Sequence, residues 1–549
     1  MKPLATLALF GAVALSAILN TACGGGNSTL KKVEQGKSIL VLRSDKSDNL
    51  DPHSTSSGGD VRVLSMMYEH LVKASVGTAE VIWEKGGLAD NWTINADHTV
   101  YTFTIRKGVK FHDGAELNAQ AVKKSLDRMV VEDHPARPLE RPYRDSYFKD
   151  VESVEAADDW TVVITHKSPN PRFLGTLGIH GAMIISPKAI DHLATLKIEE
   201  RKAWISSNPA GTGPYTIKAG GYKDGTDITL SAFEGYHGGA PKIEQVVFQT
   251  QTDMRTRTQR LTAGDVHFID SLDPPDWGDI EKNSALTLYT WQGQNLCYLA
   301  LNCLASDGHI TANRDVREAI ALAINRDPMV AKFAGRAKPQ HVLIPPTMLG
   351  HPKGYKPKAD STPREEAIAR ARKLVKDAGA EGTELKMYLP DTARPYLLYP
   401  DEIANFIQQQ LAEVGLKVVL DKAPLSELTA RVNRGEYPLV LIGWMGDTGE
   451  PHNFWGPLLS GVDGKPAGNN NTRFFHPEVA KRVDAAGIET DPGKRAQLYM
   501  DLEKWVHDDF RPMVPLVSAE QSYAWVSKLK GVEVDSTGTF RFHKAHFEE

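Results

Sequence analysis

Leu439-Val440-Leu441-Ile442-Gly443-Trp444-Met445-Gly446-Asp447-Thr448-Gly449-Glu450-Pro451 is the stretch on which the fold turns. Its first four residues form an unbroken apolar run, as expected of a strand covered on both faces. The run stops at Gly443-Trp444 and gives way to a loop rich in turn formers. Upstream, residues 385–389 read as another strand, followed by a loop at 390–400 and then a helix. Asp401 can cap that helix, Ile403, Phe406, Ile407, Leu411 and Val414 share one stripe, and Gly415 ends it. Residues 416–420 form the next strand. Strands and helices that alternate in this way mark α/β structure with a parallel sheet. Ligands of open α/β sheets sit beyond the carboxyl ends of the strands. The loops to watch are therefore 390–400 and 443–455.

Those loops hold Arg394-Pro395-Tyr396 and Trp444-Met445-Gly446-Asp447. A guanidinium can take a carboxylate bidentately, and an aspartate can take an ammonium. Together Arg394 and Asp447 would suit a zwitterion, with Tyr396 and Trp444 walling the space between and excluding water. A single loop arginine or aspartate is ordinarily a solvated surface charge, and a single tryptophan is ordinarily core. Shared placement after two buried strands is what makes these four a candidate set.

The amino-terminal half has a different texture. Residues 40–43 form a short apolar strand leading into the turn-rich loop Leu50-Asp51-Pro52-His53-Ser54-Thr55-Ser56-Ser57-Gly58-Gly59. A helix should follow, with Val63, Met66, Met67 and His70 or Leu71 inward. Residues 99–105 alternate with period two, a half-buried strand, and Asn118 can cap a helix over 121–130. No internal repeat is present.

Composition narrows the class. The chain has 549 residues, 41% hydrophobic and 24% charged, which predicts three or four domain-sized units. Lys+Arg 64 against Asp+Glu 69 gives a net charge of −5, so a nucleic-acid partner is not expected. Three cysteines cannot form a disulfide framework or a zinc cluster. Cys297 and Cys303 lie in and just after an alternating stretch, where six residues of strand cover about 20 Å. Both are expected to be free, buried thiols. Catalytic signals are poor: there is no H-E-x-x-H, G-x-S-x-G or C-x-x-C, and no metal or cofactor site is expected.

At the amino terminus, Lys2 precedes an apolar stretch at 4–19 that would span about 24 Å, short of a bilayer core. This reads as a signal peptide over 1–22. Leu19-Asn20-Thr21-Ala22-Cys23 resembles a bacterial lipobox, in which the cysteine takes a lipid, although Asn20 stands where leucine is usual. The plain alternative is an exported chain cleaved nearby, with Cys23 incidental. A polar tether, Gly24-Gly25-Gly26-Asn27-Ser28-Thr29, follows.

Dispersed motifs then carry a family resemblance over about 38–549. They are Leu50-Asp51-Pro52 with Tyr68-Glu69-His70-Leu71, Leu88-Ala89-Asp90-Asn91-Trp92, and Tyr101-Thr102-Phe103-Thr104-Ile105-Arg106-Lys107-Gly108-Val109-Lys110-Phe111-His112-Asp113-Gly114. Gly211-Thr212-Gly213-Pro214-Tyr215, Asp315-Val316-Arg317-Glu318-Ala319-Ile320 and Ile344-Pro345-Pro346-Thr347-Met348 add to them. The chain resembles the family 5 extracellular solute-binding proteins of ABC importers, the peptide/nickel class, and its 394–396 and 443–451 loops look most like the dipeptide-binding branch. The resemblance implies an α/β, two-lobed periplasmic-binding-protein fold (type II, cluster C) with an additional third domain in the first lobe. One lobe would comprise 38–296 plus 518–549, with the extra domain at about 76–190, and the other 297–517. Residues 23–37 would be the lipidated cysteine and tether.

Carried over residue by residue, the resemblance implies that Arg394 pairs with a peptide carboxylate and Asp447 with its ammonium. Tyr396, Trp444, Met445 and Gly446 would line the pocket, and the turn at Ser57 and Gly58 would supply backbone contacts from the other lobe. The implied partners are a short peptide, an ABC membrane permease and the membrane itself through Cys23; a monomer is expected. Glu450 stands where aspartate is frequent, and His452 follows the proline. A nickel chelate, an oligopeptide, haem or another small solute is the alternative cargo within this class. An exported hydrolase is the alternative outside it.

Overall fold

The computed structural model describes residues 36–218, 221–222, 227–462 and 464–548. The segment expected to be a signal peptide (1–22), Cys23 and the tether up to residue 35 lie outside the described residues.

Two large mixed sheets and one smaller sheet organise the chain. The first has seven strands in the order Leu286–Trp291, Gln521–Val526, Phe268–Asp270, Ser38–Arg43, Gln245–Thr250, Ile228–Ala232, Tyr215–Thr216. The second has six: Ala337–Pro339, Met513–Ala519, Asn295–Leu301, Leu439–Met445, Glu384–Pro390, Lys417–Ala423. Each sheet is covered on both faces. Leu439 and Leu441 join one apolar cluster while Val440 and Ile442 join another, which is why this strand reads as a continuous apolar run. Ile39 and Val41 divide from Leu40 and Leu42 in the same way in the first sheet.

The second sheet is parallel only in part. Glu384–Pro390 pairs in parallel with both Lys417–Ala423 and Leu439–Met445. Asn295–Leu301 enters antiparallel between Leu439–Met445 and Met513–Ala519. The α/β alternation identifies the parallel trio; the antiparallel strands are those through which the chain enters and leaves the sheet.

The described chain passes between the two large sheets twice, at residues 292–294 and at residue 520. The passages lie side by side. Asn295 Nδ2 donates to the Ala519 carbonyl at 2.8 Å, and its Oδ1 accepts from the Ala519 N–H at 3.1 Å. Gln292 Nε2 donates to Ser518 Oγ at 2.9 Å.

The smaller sheet is antiparallel, in the order Ala89–Ile94, Val100–Ile105, Thr161–His166, Val151–Ala156. Its inward residues Tyr101, Phe103, Val162 and Ile164 alternate with more exposed ones, as period two requires. They pack with the helix Ala119–Val130, whose first turn is capped where Asn118 accepts from the Ala121 N–H at 2.9 Å. A buried ion pair joins this unit to the 50–59 loop: Arg128 donates to both carboxylate oxygens of Asp51, at 2.7 and 2.5 Å, and neither side chain is exposed.

Two local expectations shift. The helix following the 390–400 loop spans Pro400–Glu413, and Tyr399 at its cap makes no side-chain capping bond. Proline is preorganised for the first helical position, so the helix starts earlier and Asp401 and Glu402 complement its positive end from the first turn. The helix Gly58–Met67 ends at Tyr68, which is extended, so His70 and Leu71 lie beyond it although Val63, Met66 and Met67 face inward as expected. Cys297 is buried and Cys303 half-buried, both free, and burial raises both thiol pKa values. Among the described residues no helix is long and apolar enough to cross a membrane.

Candidate functional site

The two loops singled out lie at the carboxyl ends of neighbouring parallel strands, beside the passages between the large sheets. Leu439–Met445 runs toward the first passage, where Met445 pairs with Asn295 and the Gly446 N–H donates to the Gln294 carbonyl at 2.6 Å. In the other loop, Arg394 and Leu397 exchange backbone hydrogen bonds of 3.0 and 2.8 Å, closing a turn with Pro395 and Tyr396 at its tip. Proline presets the backbone for the first central turn position. Gln521, on the strand after the second passage, donates from Nε2 to the Pro395 carbonyl at 2.9 Å.

Tyr396 packs its ring against the Leu439–Met445 strand at Gly443. A Cβ at Gly443 would stand 2.4 Å from Tyr396 Cδ2 and 2.4 Å from the Leu296 carbonyl oxygen, so only glycine permits this approach. Gly443→Ala is therefore expected to push the tyrosine out of place and to cost about 1–3 kcal/mol of stability by overpacking. The urea unfolding midpoint checks this, and a midpoint equal to wild type would show that the tyrosine yields freely. Gly446 is constrained in the same way, with a Cβ falling 2.8 Å from both Cβ and Oε1 of Gln294.

The charges of the site are poorly matched within the protein. Arg394 keeps 24% of its side chain exposed, and its nearest carboxylate among the described residues is Asp45, just after the Ser38–Arg43 strand of the first sheet, at 3.9 Å. Its buried Nε has no hydrogen-bond partner among the described residues. Asp447 is enclosed, with part of its surface still open, and among the described residues no cation lies within 4.0 Å of its carboxylate. Burial pushes its pKa up to about 6, opposed by a hydrogen bond from Asn453. A carboxylate in that state favours an incoming cation. Trp444 is half-buried against the apolar core beside it, and among the described residues its Nε1 and both amide atoms of buried Gln294 lack partners.

Of the eight expected site residues, six gather here: Arg394, Tyr396, Trp444, Met445, Gly446 and Asp447. Ser57 and Gly58 do not join them by any hydrogen bond or ion pair among the described residues. Ser57 is exposed ahead of the helix Gly58–Met67, and the space about Gly58 is open. Their loop reaches the site region through Thr55, whose carbonyl lies 2.9 Å from His180 Nε2. His452 packs its ring against Gly456 and Gly487, with Nδ1 3.3 Å from the Tyr499 hydroxyl. Among the described residues no group of three His, Cys, Asp or Glu side chains is placed to hold a metal ion.

Four residues at the site were not singled out in the sequence: Asp45, Gln294, Asn453 and Tyr147. Asn453 Oδ1 accepts from the Asp447 N–H at 2.9 Å, and its Nδ2 donates to the Tyr147 hydroxyl of the smaller domain. The one local hint is the spacing of Tyr143 and Tyr147, four residues apart around a turn.

Residues 85–466, more than half of the chain, match the model of the bacterial extracellular solute-binding proteins, family 5. A dipeptide-binding protein of Escherichia coli (strain K12) is 28% identical over 530 residues, covering 94% of this chain and 95% of the relative. A di/tripeptide-binding protein of Pseudomonas aeruginosa (strain UCBPP-PA14) is 28% identical, over 92% and 93% of the two chains. The solved structure of the ABC transporter-associated periplasmic binding protein DppA from Helicobacter pylori, in complex with the peptide STSA, superposes with a TM-score of 0.79. It is 26% identical and covers 93% of this chain and 98% of that one. The dipeptide-binding protein of Pseudoalteromonas sp. SM9913, solved with Met-Leu, shares the fold at a TM-score of 0.81, with 22% identity over 93% and 100% of the chains. The fold is thus the two-lobed α/β binding-protein fold, and the chain belongs to family 5 of the bacterial extracellular solute-binding proteins.

Proposed function

We propose that this protein captures a short peptide, a dipeptide first of all, between its lobes and hands it to the membrane permease of an ABC importer. In this reading Arg394 takes the peptide carboxylate and Asp447 the α-ammonium, while Tyr396, Trp444, Met445 and Gly446 line the space between. Ser57 and Gly58 approach from the other lobe when the lobes close. The lobes divide as 38–296 with 518–549 and 297–517, and the first includes the extra domain at about 76–190. Cys23 carries the lipid that holds the chain to the outer side of the membrane, and the protein acts as a monomer without catalysis.

The observation that carries the reading is Asp447, an enclosed carboxylate with no cation within 4.0 Å among the described residues, on the loop after the strand that neighbours the one leading to an under-partnered arginine. Enclosed charges are normally paired, and a ligand bearing both signs would pair these two. The names of the relatives supply the peptide as the zwitterion. Calorimetry with a dipeptide, its carboxyl amide and its N-acetyl form tests the assignment. Tight one-to-one binding of the free dipeptide with marked loss for each blocked form is the expected result. Binding of a nickel chelate with no response to any dipeptide would overturn it.

Asp447 also sets the pH dependence. The ammonium binds the ionised carboxylate, so ligand and proton compete for the same group. With a pKa raised to about 6, Asp447 is mostly ionised at neutral pH and mostly protonated at pH 5. Dipeptide affinity is therefore expected to be about tenfold weaker at pH 5 than at pH 7.5. Binding near pH 6 should also release a proton, seen as a heat that varies with the buffer. Affinity unchanged across this range would place the ammonium elsewhere.

A further inference from the structure

The smaller domain touches the Asp447 loop through several residues. Trp83 Nε1 donates to the Thr448 carbonyl at 2.9 Å. Gly175 lies so close that a Cβ would stand 2.7 Å from that same oxygen. Tyr147, on the π-helical turn Arg144–Phe148, receives the Asn453 amide whose oxygen holds the Asp447 backbone. Turns of this rare kind are frequent at functional sites. Tyr143, just before the turn, lies 5.7 Å from Tyr147, centroid to centroid, and meets His180 edge-on at 4.7 Å. His180 is itself fixed to the Thr55 carbonyl. Both tyrosines are only partly buried in their own core, and Asp447 is near enough for its charge to act on both.

We propose that Tyr143 and Tyr147 are specificity-determining residues, forming the end wall of the site at Asp447, so that the smaller domain reads the amino terminus of the ligand. The inference rests on the peptide reading above. Asn453 ties the wall to the Asp447 loop, and the tyrosine rings present electron-rich faces to an ammonium beside the carboxylate. The negative charge of Asp447 acts on both phenols, adding to burial in raising their pKa values. A free α-ammonium fits against such a wall. A peptide extended or acylated at that end meets two rings held by the Asn453 bond and by His180.

The test is the ratio of affinities for a free-amine dipeptide and its N-acetyl form, measured by calorimetry on the full mature chain. Tyr143→Ala removes a ring and opens the wall. It should weaken the free-amine ligand about tenfold and leave the N-acetyl form unchanged or tighter, so that discrimination falls. Tyr147→Phe keeps the ring and removes the acceptor of the Asn453 bond. It should weaken the free-amine ligand by about two- to tenfold with the thermal midpoint unchanged. Discrimination equal to wild type in both folded variants, or equal loss for both ligands, would overturn the proposal. Failure of the wild-type protein to bind any dipeptide would instead overturn the reading on which it rests.

Discussion

Asp447→Ala is expected to weaken binding of a free-amine dipeptide by about 30- to several-thousand-fold, equivalent to about 2–5 kcal/mol. The size follows from where the contact lies. Asp447 is enclosed and has no cation among the described residues. The ammonium of a bound peptide would be desolvated there with this carboxylate as its counter-charge. Removing the carboxylate strands that ammonium, and most of the loss is the cost of an unpaired buried charge. An N-acetylated dipeptide carries no charge at that end and should lose far less. Calorimetry on the variant with both ligands reads the difference directly. Equal losses for both ligands would overturn the proposed ammonium contact, since alanine keeps the Asp447 N–H that donates to Asn453.

The second large effect is on stability. Arg128→Met is expected to destabilise the protein by about 3–5 kcal/mol, because it leaves the Asp51 carboxylate buried and unpaired. Both partners are wholly buried and joined through two hydrogen bonds, while Arg128 Nε donates to the Ala136 carbonyl at 2.9 Å. Burial alone would raise the Asp51 pKa, but the charge and hydrogen bonds of Arg128 outweigh it and hold the carboxyl below its ordinary value. A depressed acid stabilises the fold above the ordinary carboxylate range and loses that contribution as pH falls through its folded-state value. The variant should therefore show its deficit at neutral pH and converge toward wild type in strong acid. Urea unfolding at pH 7 and in acid checks both statements, and a deficit below about 1 kcal/mol at pH 7 would contradict them. Asp51→Leu combined with Arg128→Met should recover much of the loss, since neither charge is then stranded.

What the sequence discloses divides along physical lines. Strands 40–43 and 439–442 are legible because burial on two faces demands apolar runs. Residues 100–105 are legible because burial on one face imposes period two. Arg394 and Asp447 can be singled out because they follow buried strands in chain order. The antiparallel insertion of Asn295–Leu301 is a matter of which strands become neighbours, and no local pattern encodes it. The bond from Asn453 to Tyr147 joins residues 306 positions apart, and each looks like an ordinary polar or aromatic loop residue in its own neighbourhood. The start of the helix at Pro400 rather than at an aspartate cap is a contest between two local preferences, settled by the fixed backbone angle of proline.

The paired passages at residues 292–294 and 520, braced by the Asn295 amide, have a mechanical consequence. A rigid body attached to another at two points keeps one freedom, rotation about the line through them, and loses twist and slide. The clasp around a cargo then becomes a swing along a fixed arc. In the reading proposed above, Arg394 and Asp447 ride together on the second sheet, so the span between them is the same at every point of the swing and acts as a fixed gauge of ligand length.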